Sequence, residues 1–335
     1  MFYEVDKKEY RSLKGFQTQR AIKYIKDTFQ QHLCKNLNLL RVSAPLFVTK
    51  ESGLNDDLSG VEKKVEFELK TDKSKKLEIV QSLAKWKRMA LKKYGFWEDS
   101  GLYTDMNAIR KDEDLDQLHS VYVDQWDWEK VITRKERTIP YLKKTVVAIC
   151  DAIDQTCQKI KKLYKSIDIK FRKKPFFITS EELLQLYPDL TPKQREDAIC
   201  KKYQTVFIMQ IGDKLSNGEP HDGRAPDYDD WQLNGDLLVY HPVLHRAFEL
   251  SSMGIRVDST SLQEQLKKAK KEEKLKFKFH QDIIADALPL SIGGGIGQSR
   301  LCMFILKKGH IGEVQCSVWD EENLKFGEEN GLTIL

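Results

Sequence analysis

The chain has 335 residues, 40% of them hydrophobic and 10% aromatic, which supports a substantial core and excludes a disordered or collagen-like sequence. Its net charge of +5 is the small excess of 56 basic over 51 acidic residues mixed along the chain, a balance that suits an anionic small ligand better than a nucleic-acid track. No stretch approaches the roughly 20 apolar residues of a membrane span, and the opening MFYEVDKKEY lacks the pattern of a secretory signal, so the expected setting is the cytoplasm with no membrane partner.

Ile22, Ile25, Phe29 and Leu33 share one helical face, and that helix should end near Asn36. Arg41 to Val48 then reads as an extended edge segment, because Pro45 cannot donate to a ladder. Val65, Phe67 and Leu69, followed by Leu77 and Ile79, flank the polar stretch Thr71–Lys75 as the arms of a hairpin would. Ser82 offers an N-cap for a helix running to about Tyr94, stopped by Gly95. From Ser120 to Trp128 the chain alternates as a strand, with Val121, Val123, Gln125 and Asp127 on one side. Leu142, Val146, Ile149, Ile153 and Ile160 mark another helix, and Thr179–Glu182 and Thr191–Gln194 are capping boxes, so 141–203 reads as helical. Val206–Ile211, Asp236–Tyr240, Ala247–Leu250 and Gly254–Val257 read as strands, and a charged helix begins near Ser261. Ser291 to Arg300 reads as a glycine-rich turn entering an apolar helix at Leu301. Six cysteines are scattered without a C-x-x-C pair, which suggests neither a zinc site nor a disulfide framework. Strands grouped together with helices between them predict an α+β fold around an antiparallel sheet.

Gly293-Gly-Gly-Ile-Gly-Gln-Ser-Arg300 suits either a packing turn or a close backbone approach to a phosphate. It is not a Walker loop, because no Gly-Lys-Ser/Thr follows, and it opens no N-terminal βαβ unit. Arg110, in Arg-Lys-Asp-Glu-Asp114, is either part of a surface ion-pair cluster or a planar fork for phosphate. Taken together and in this order, the two resemble motifs two and three of class II aminoacyl-tRNA synthetases, and the helix leading to Pro45 resembles motif one, the dimer-forming element. Longer strings narrow the likeness further. Asp56-Asp-Leu-Ser-Gly60, Ser82-Leu-Ala-Lys-Trp-Lys-Arg88, His119 to Glu129, Arg224 to Trp231 and Phe248 to Arg256 resemble ammonia-dependent asparagine synthetase, the aspartate–ammonia ligase family built on a class II synthetase core. The resemblance runs from about residue 15 to about 320. Trp231 leads almost directly into Leu233-Asn-Gly-Asp236, where some relatives carry a longer loop, and Asp105 stands where a His is familiar.

The resemblance implies one class II synthetase-like catalytic domain over 1–335, an antiparallel sheet flanked by helices, with a helical insertion at about 141–203. It implies ATP-dependent amidation of L-aspartate with ammonia through a β-aspartyl-adenylate, giving asparagine, AMP and pyrophosphate. Asp56, Arg110 and Arg300 are the implied catalytic residues. Substrate is expected at Asp56, Ser82, Lys87, Gln125, Asp127, Asp229 and Ser252, with Asp227 beside Asp229 in a second acidic loop. ATP is expected at Arg110, Leu118, Ser120, Val123, Asp236, Glu249, Ser251, Arg256 and Arg300, and Mg2+ at Asp236 and Glu249. Chemistry asks for the same groups. A carboxylate has too poor a leaving group to react with ammonia, and making it an adenylate needs positive charge around the phosphates. Asp56 is the candidate acceptor for the proton of ammonium. The expected partners are aspartate, ammonia, ATP and a second copy of the chain. A tRNA ligase of the same fold would need an anticodon-reading domain, for which residues 1–15 leave no room. A non-catalytic amino-acid-binding paralogue would show damage at Arg110, Arg300 or Glu249, all of which are intact.

Overall fold

Helix α1 runs from Phe16 to Leu37 in the computed structural model, which describes residues 2–13, 15–56, 58 and 62–335. It buries Ile22, Ile25, Phe29, Leu33 and Leu37, one step of three residues followed by steps of four, and stops where Asn38 turns left-handed and donates its N–H to the Cys34 carbonyl. Two short strands follow, β1 (Leu39–Arg41) and β2 (Phe47–Thr49), with Pro45 between them and outside both. The hairpin is β3 (Glu66–Leu69) and β4 (Asp72–Ile79). Its turn is tighter than expected, and the polar Asp72–Lys75 belongs to β4 because these exposed side chains stand off a solvated strand. Helix α2 (Ala84–Lys93) starts after Leu83, so Ser82 lies one residue before the cap, where its Oγ accepts from the Ala84 N–H at 3.2 Å.

Strands β5 (Gly101–Ile109) and β6 (Tyr122–Val131) come next, then α3 (Ile139–Leu163), whose buried stripe of Leu142, Val146, Ile149, Ile153 and Ile160 packs on α1. The rest of 141–203 holds α4 (Ser180–Leu186) and α5 (Pro192–Tyr203), each opened by the expected capping box. It also holds a strand that the capping signals hid, β7 (Phe176–Thr179), whose aromatic and β-branched residues join the sheet. After it come β8 (Thr205–Met209), β9 (Asp229–His241) and β10 (Arg246–Arg256). The two strands expected within 247–257 are one, bent by a bulge between Glu249 and Ser251. Helices α6 (Ser259–Lys268) and α7 (Lys278–Ile284) lead to β11 (Ser291–Gly297), α8 (Gln298–Ile305) and α9 (Glu321–Asn330).

The main sheet runs β1-β5-β6-β11-β10-β9-β8-β7, antiparallel except for the parallel outer pairs β1/β5 and β7/β8, and β2-β4-β3 form a small second sheet. The glycine-rich segment is therefore not a turn. It is a central strand between β6 and β10. A Cβ on Gly293 would come within 3.0 Å of Glu129 Oε2, and one on Gly295 within 3.0 Å of Gln125 Oε1, so glycine there yields space to side chains of β6. The largest core cluster unites α1, α3, α8 and the sheet through Phe29, Trp126, Trp128, Ile149, Phe248 and Phe304. Among the described residues no helix is long and apolar enough to cross a membrane.

Candidate active site

A cleft of about 450 Å³ opens over β6, β11, β10 and β9 and is edged by Asp56, Leu58, α2, the first turn of α8 and the loops at 110–120 and 222–228. Of the sequence-predicted site residues, Asp56, Ser82, Lys87, Arg110, Leu118, Ser120, Val123, Gln125 and Asp127 line it. So do Asp229, Asp236, Glu249, Ser252, Arg256 and Arg300. Two-residue alternation places Val123, Gln125 and Asp127 on one face of β6. On β10 the spacing from Glu249 to Ser252 is three, and the bulge between them restores a common face. Ser251 does not reach the cleft, because alternation turns its hydroxyl to the neighbouring strand, where it donates to Gly295 O at 2.9 Å. Asp57, Ser59 and Gly60, from the string that begins at Asp56, lie outside the described residues.

One end of the cleft carries paired opposite charges. Lys87 and Asp127 are both buried and form an ion pair, and Lys87 Nζ also donates to Gly294 O at 2.9 Å. Burial pulls the Lys87 ammonium below its ordinary value against the charge of Asp127. Asp127 Oδ2 is buried with no hydrogen-bond partner among the described residues. Arg224, in the loop before β9, donates to Asp236 Oδ1 at 2.6 Å and to the Ser252 hydroxyl, and lies 3.9 Å from Asp229. Arg256 approaches from β10, but its Nε and both Nη atoms are engaged by Glu129 and Asp229, which makes it a support for Asp229. Asp227, two residues from Asp229, is turned away from the cleft. Burial alone would raise its carboxyl, yet Lys85, the His280 hydrogen bond and Lys274 together hold it well below the usual carboxylate range.

The other end presents arginines. Arg110 follows β5, and its N–H donates to Val121 O at 2.8 Å, just before β6. Its guanidinium makes one long hydrogen bond, 3.4 Å to Gln81 O, and its Nε is buried without a partner among the described residues. Arg300, in the first turn of α8, donates to Glu249 O at 3.1 Å, stands 3.7 Å from Glu249 Oε2 and lies over the Phe248 ring. The start of α8 is pinned by Asp124, which accepts from Ser299 N at 3.0 Å and Oγ at 2.9 Å and pairs with Lys26 of α1 at 3.1 Å. Between the two ends, burial lifts the Asp236 carboxyl to about 6, the charges of Glu249 and Asp222 adding to it and Arg224 opposing it. Carboxylates that repel each other beside two arginines are chemically suited to a cation that brings phosphate oxygens with it. No cluster of three or more ligating side chains exists among the described residues to hold a metal unaided, and a magnesium ion normally takes one or two carboxylates plus phosphate and water.

Sequence reasoning named the Arg224–Trp231 string without giving Arg224 a role, because an arginine before three acids reads as a surface ion pair. Lys193 was hidden within a capping box; it lines the cleft mouth and pairs with Asp222 at 3.2 Å. Tyr228 also lines the cleft, and burial, with the charges of Asp56 and Asp229, pushes its phenol well above its ordinary value.

The family model described as aspartate–ammonia ligase matches residues 16–331. A Clostridium tetani (strain Massachusetts / E88) protein named aspartate–ammonia ligase is 57% identical over 329 residues, 98% of this chain and 96% of its own length. A Bacillus cytotoxicus protein of the same name is 57% identical over 306 residues, 91% of this chain and 93% of its own. Among solved structures, asparaginyl-tRNA synthetase from Pyrococcus horikoshii complexed with asparaginyl-adenylate matches with a TM-score of 0.64 at 15% identity, over 88% of this chain and 67% of that one. An asparaginyl-tRNA synthetase from Entamoeba histolytica, also in complex with asparaginyl-adenylate, matches with a TM-score of 0.64 at 14% identity, over 90% of this chain and 68% of that one. These likenesses to solved structures are of fold, and the fold is that of class II synthetases.

Proposed function

The chain belongs to the aspartate–ammonia ligase family, and on that premise we propose that its cleft makes L-asparagine in two steps through a β-aspartyl-adenylate. The enzyme joins ammonia to L-aspartate with ATP. In the first step a side-chain oxygen of aspartate attacks the α-phosphorus and pyrophosphate leaves. In the second, ammonia attacks the activated carbonyl carbon, AMP leaves, and a proton from nitrogen passes to the protein. The observation that carries this reading is that Arg110 Nε and Asp127 Oδ2, in the two ends of one cleft, are buried with no hydrogen-bond partner among the described residues. Buried polar atoms of that kind need an explanation, and a bound phosphate at one end and a substrate ammonium at the other supply it.

Arg110 holds the α-phosphate and Arg300 the γ-phosphate and adenine side, with Leu118, Ser120 and Val123 lining the nucleoside. Aspartate carries two carboxylates and one ammonium, and the opposite end offers Lys87 and Arg224 against Asp127 and Asp229. Gln125, Ser82 and Ser252 complete the lining. Asp236 and Glu249 would hold Mg2+, which neutralises phosphate charge when bound. Asp56, buried at the cleft wall, accepts the proton of ammonium. Ser251 and Arg256 support these groups from behind. We further read the whole chain as one catalytic domain in a cytoplasmic homodimer. The exposed Leu40 on edge strand β1, with Leu46 and Phe47 of the following segment, supports the pairing of two copies.

Incubation with aspartate, ammonium, ATP and Mg2+ is expected to yield asparagine, AMP and pyrophosphate, and a chelator should stop it. ADP and phosphate as products, or aspartyl- or asparaginyl-tRNA formed when tRNA is added, would sink the reading. Asp236→Asn is expected to raise the Mg2+ concentration that half-saturates pyrophosphate exchange by at least about tenfold. An unchanged Mg2+ titration would remove Asp236 from the metal site.

A further inference from the structure

Lys85 lies on α2 two residues before Lys87, yet it does not enter the cleft. It is 2% exposed, and its ammonium meets two carbonyls and one carboxylate on two different loops. It donates to Asn55 O at 3.1 Å and Gly53 O at 3.3 Å, and pairs with Asp227 Oδ2 at 2.9 Å. Two of its hydrogens are donated to carbonyls and its charge is met by a buried carboxylate, so the group acts as a crosslink. One loop leads directly into Asp56. The other carries Arg224 and Tyr228 on either side of Asp227 and runs into Asp229 at the start of β9.

We propose that Lys85 is a positioning residue for the amidation step, its buried ammonium holding the backbone that carries Asp56 at a fixed distance from the loop that lines the aspartate end of the cleft. The inference rests on the reading of Asp56 as the proton acceptor. A second anchor shows how closely this backbone is set. The Asn55 side chain accepts from Asp56 N at 3.0 Å and Gln81 N at 2.8 Å, and donates to Ile79 O at 2.9 Å. Asn55 thus fastens Asp56 to β4 and the start of α2, and Lys85 fastens the same segment to the loop across the cleft.

The crosslink is unequal, which makes it testable. Without Lys85, Asp227 keeps His280 at 3.0 Å and Lys274 at 3.2 Å, so the Arg224–Asp229 loop retains its anchor. The carbonyls of Gly53 and Asn55 instead lose the donor they share. The Asn55 side chain still ties Asp56 to β4, so the change falls on the backbone at 53–55 that leads into Asp56 and spares the groups that bind aspartate and ATP. A displacement of about 1 Å at a reacting group can cost roughly 10²-fold in rate.

Lys85→Met is expected to leave aspartate-dependent ATP–pyrophosphate exchange, and KM for aspartate and ATP, close to those of the parent. It should lower kcat/KM for ammonium by about 10²-fold. Hydroxylamine, mostly unprotonated at neutral pH, needs no proton acceptor before attack, so aspartyl-hydroxamate formation should persist. Lys85→Gln, which keeps donors but loses charge and reach, should fall between parent and Lys85→Met, and it carries the test if the methionine variant folds poorly. Equal loss in both half-reactions, or parental ammonium kinetics in the Lys85 variants, would each overturn the proposal. Asp56→Asn, measured alongside, separates the two ideas. If it retains ammonium turnover, the reading of Asp56 fails. If it loses turnover while the Lys85 variants do not, only the positioning role fails.

Discussion

Arg110→Ala is expected to lower kcat/KM for pyrophosphate exchange by roughly 10²–10³-fold, while the thermal midpoint stays near that of the parent. The folded protein makes little use of this guanidinium. It has one 3.4 Å hydrogen bond to Gln81 O, and its Nε is buried without a partner among the described residues. Removing it deletes an unsatisfied donor, which costs the fold little. Its interaction energy is realised when a negatively charged oxygen arrives, and is greatest at the pentavalent phosphorus of adenylation, so the loss appears in the rate. Arg110→Lys should recover only part of the activity, because a point charge cannot copy a planar fork. Exchange assays and a thermal melt on the same preparations decide the matter. Exchange at parental rate, or a melt that collapses in step with activity, would remove Arg110 from the phosphate site.

How far the sequence foretells this arrangement depends on where each residue's partners lie. Alternation on β6 is a local rule, and it brings Val123, Gln125 and Asp127 to the cleft as expected. The helix α1 and both capping boxes are local too, and they form as read. The glycine run misleads because what selects glycine is distant. Glu129 and Gln125, more than 160 residues earlier, occupy the space that side chains on β11 would need. Strand β10 looked like two strands because Ser251 and Ser252 interrupt its apolar pattern. Polar residues stand there because Ser252 faces the cleft and Ser251 bonds across to β11. Asp227 and Asp229 looked equivalent in one acidic loop. Their fates divide on partners from far along the chain: Lys85, Lys274 and the His280 ring for Asp227, and Arg256 for Asp229. Pairings of this kind leave no periodic mark in sequence, which is also why Arg224 gave no sign of its place at the cleft.

The same distinction predicts the opposite balance at Arg256. Arg256→Met is expected to cost roughly 3–5 kcal/mol of folding stability, far more than the loss at Arg110. Arg256 is 3% exposed and Glu129 is 0% exposed. Its Nε lies 2.9 and 3.1 Å from the two Glu129 oxygens, its Nη2 is 2.7 Å from Oε2, and its Nη1 donates to Asp229 Oδ1. Ser291 Oγ adds a further bond to Glu129 at 2.7 Å, so three strands of the sheet meet at one carboxylate. Burial would raise Glu129, but the charge and hydrogen bonds of Arg256 outweigh it and hold the carboxyl below its ordinary 4.5. A carboxyl depressed in the folded state stabilises above its unfolded pKa and loses that contribution as pH falls through its folded value. Without the guanidinium, burial prevails and Glu129 retains its proton to higher pH, so the variant weakens as pH rises past the ordinary carboxylate range. The stability gap between parent and variant should thus be wider near pH 8 than near pH 5, measured as denaturant midpoints at both. A gap that is small, or the same at both, would mean that Arg256 is not the counter-charge on which Glu129 and Asp229 depend.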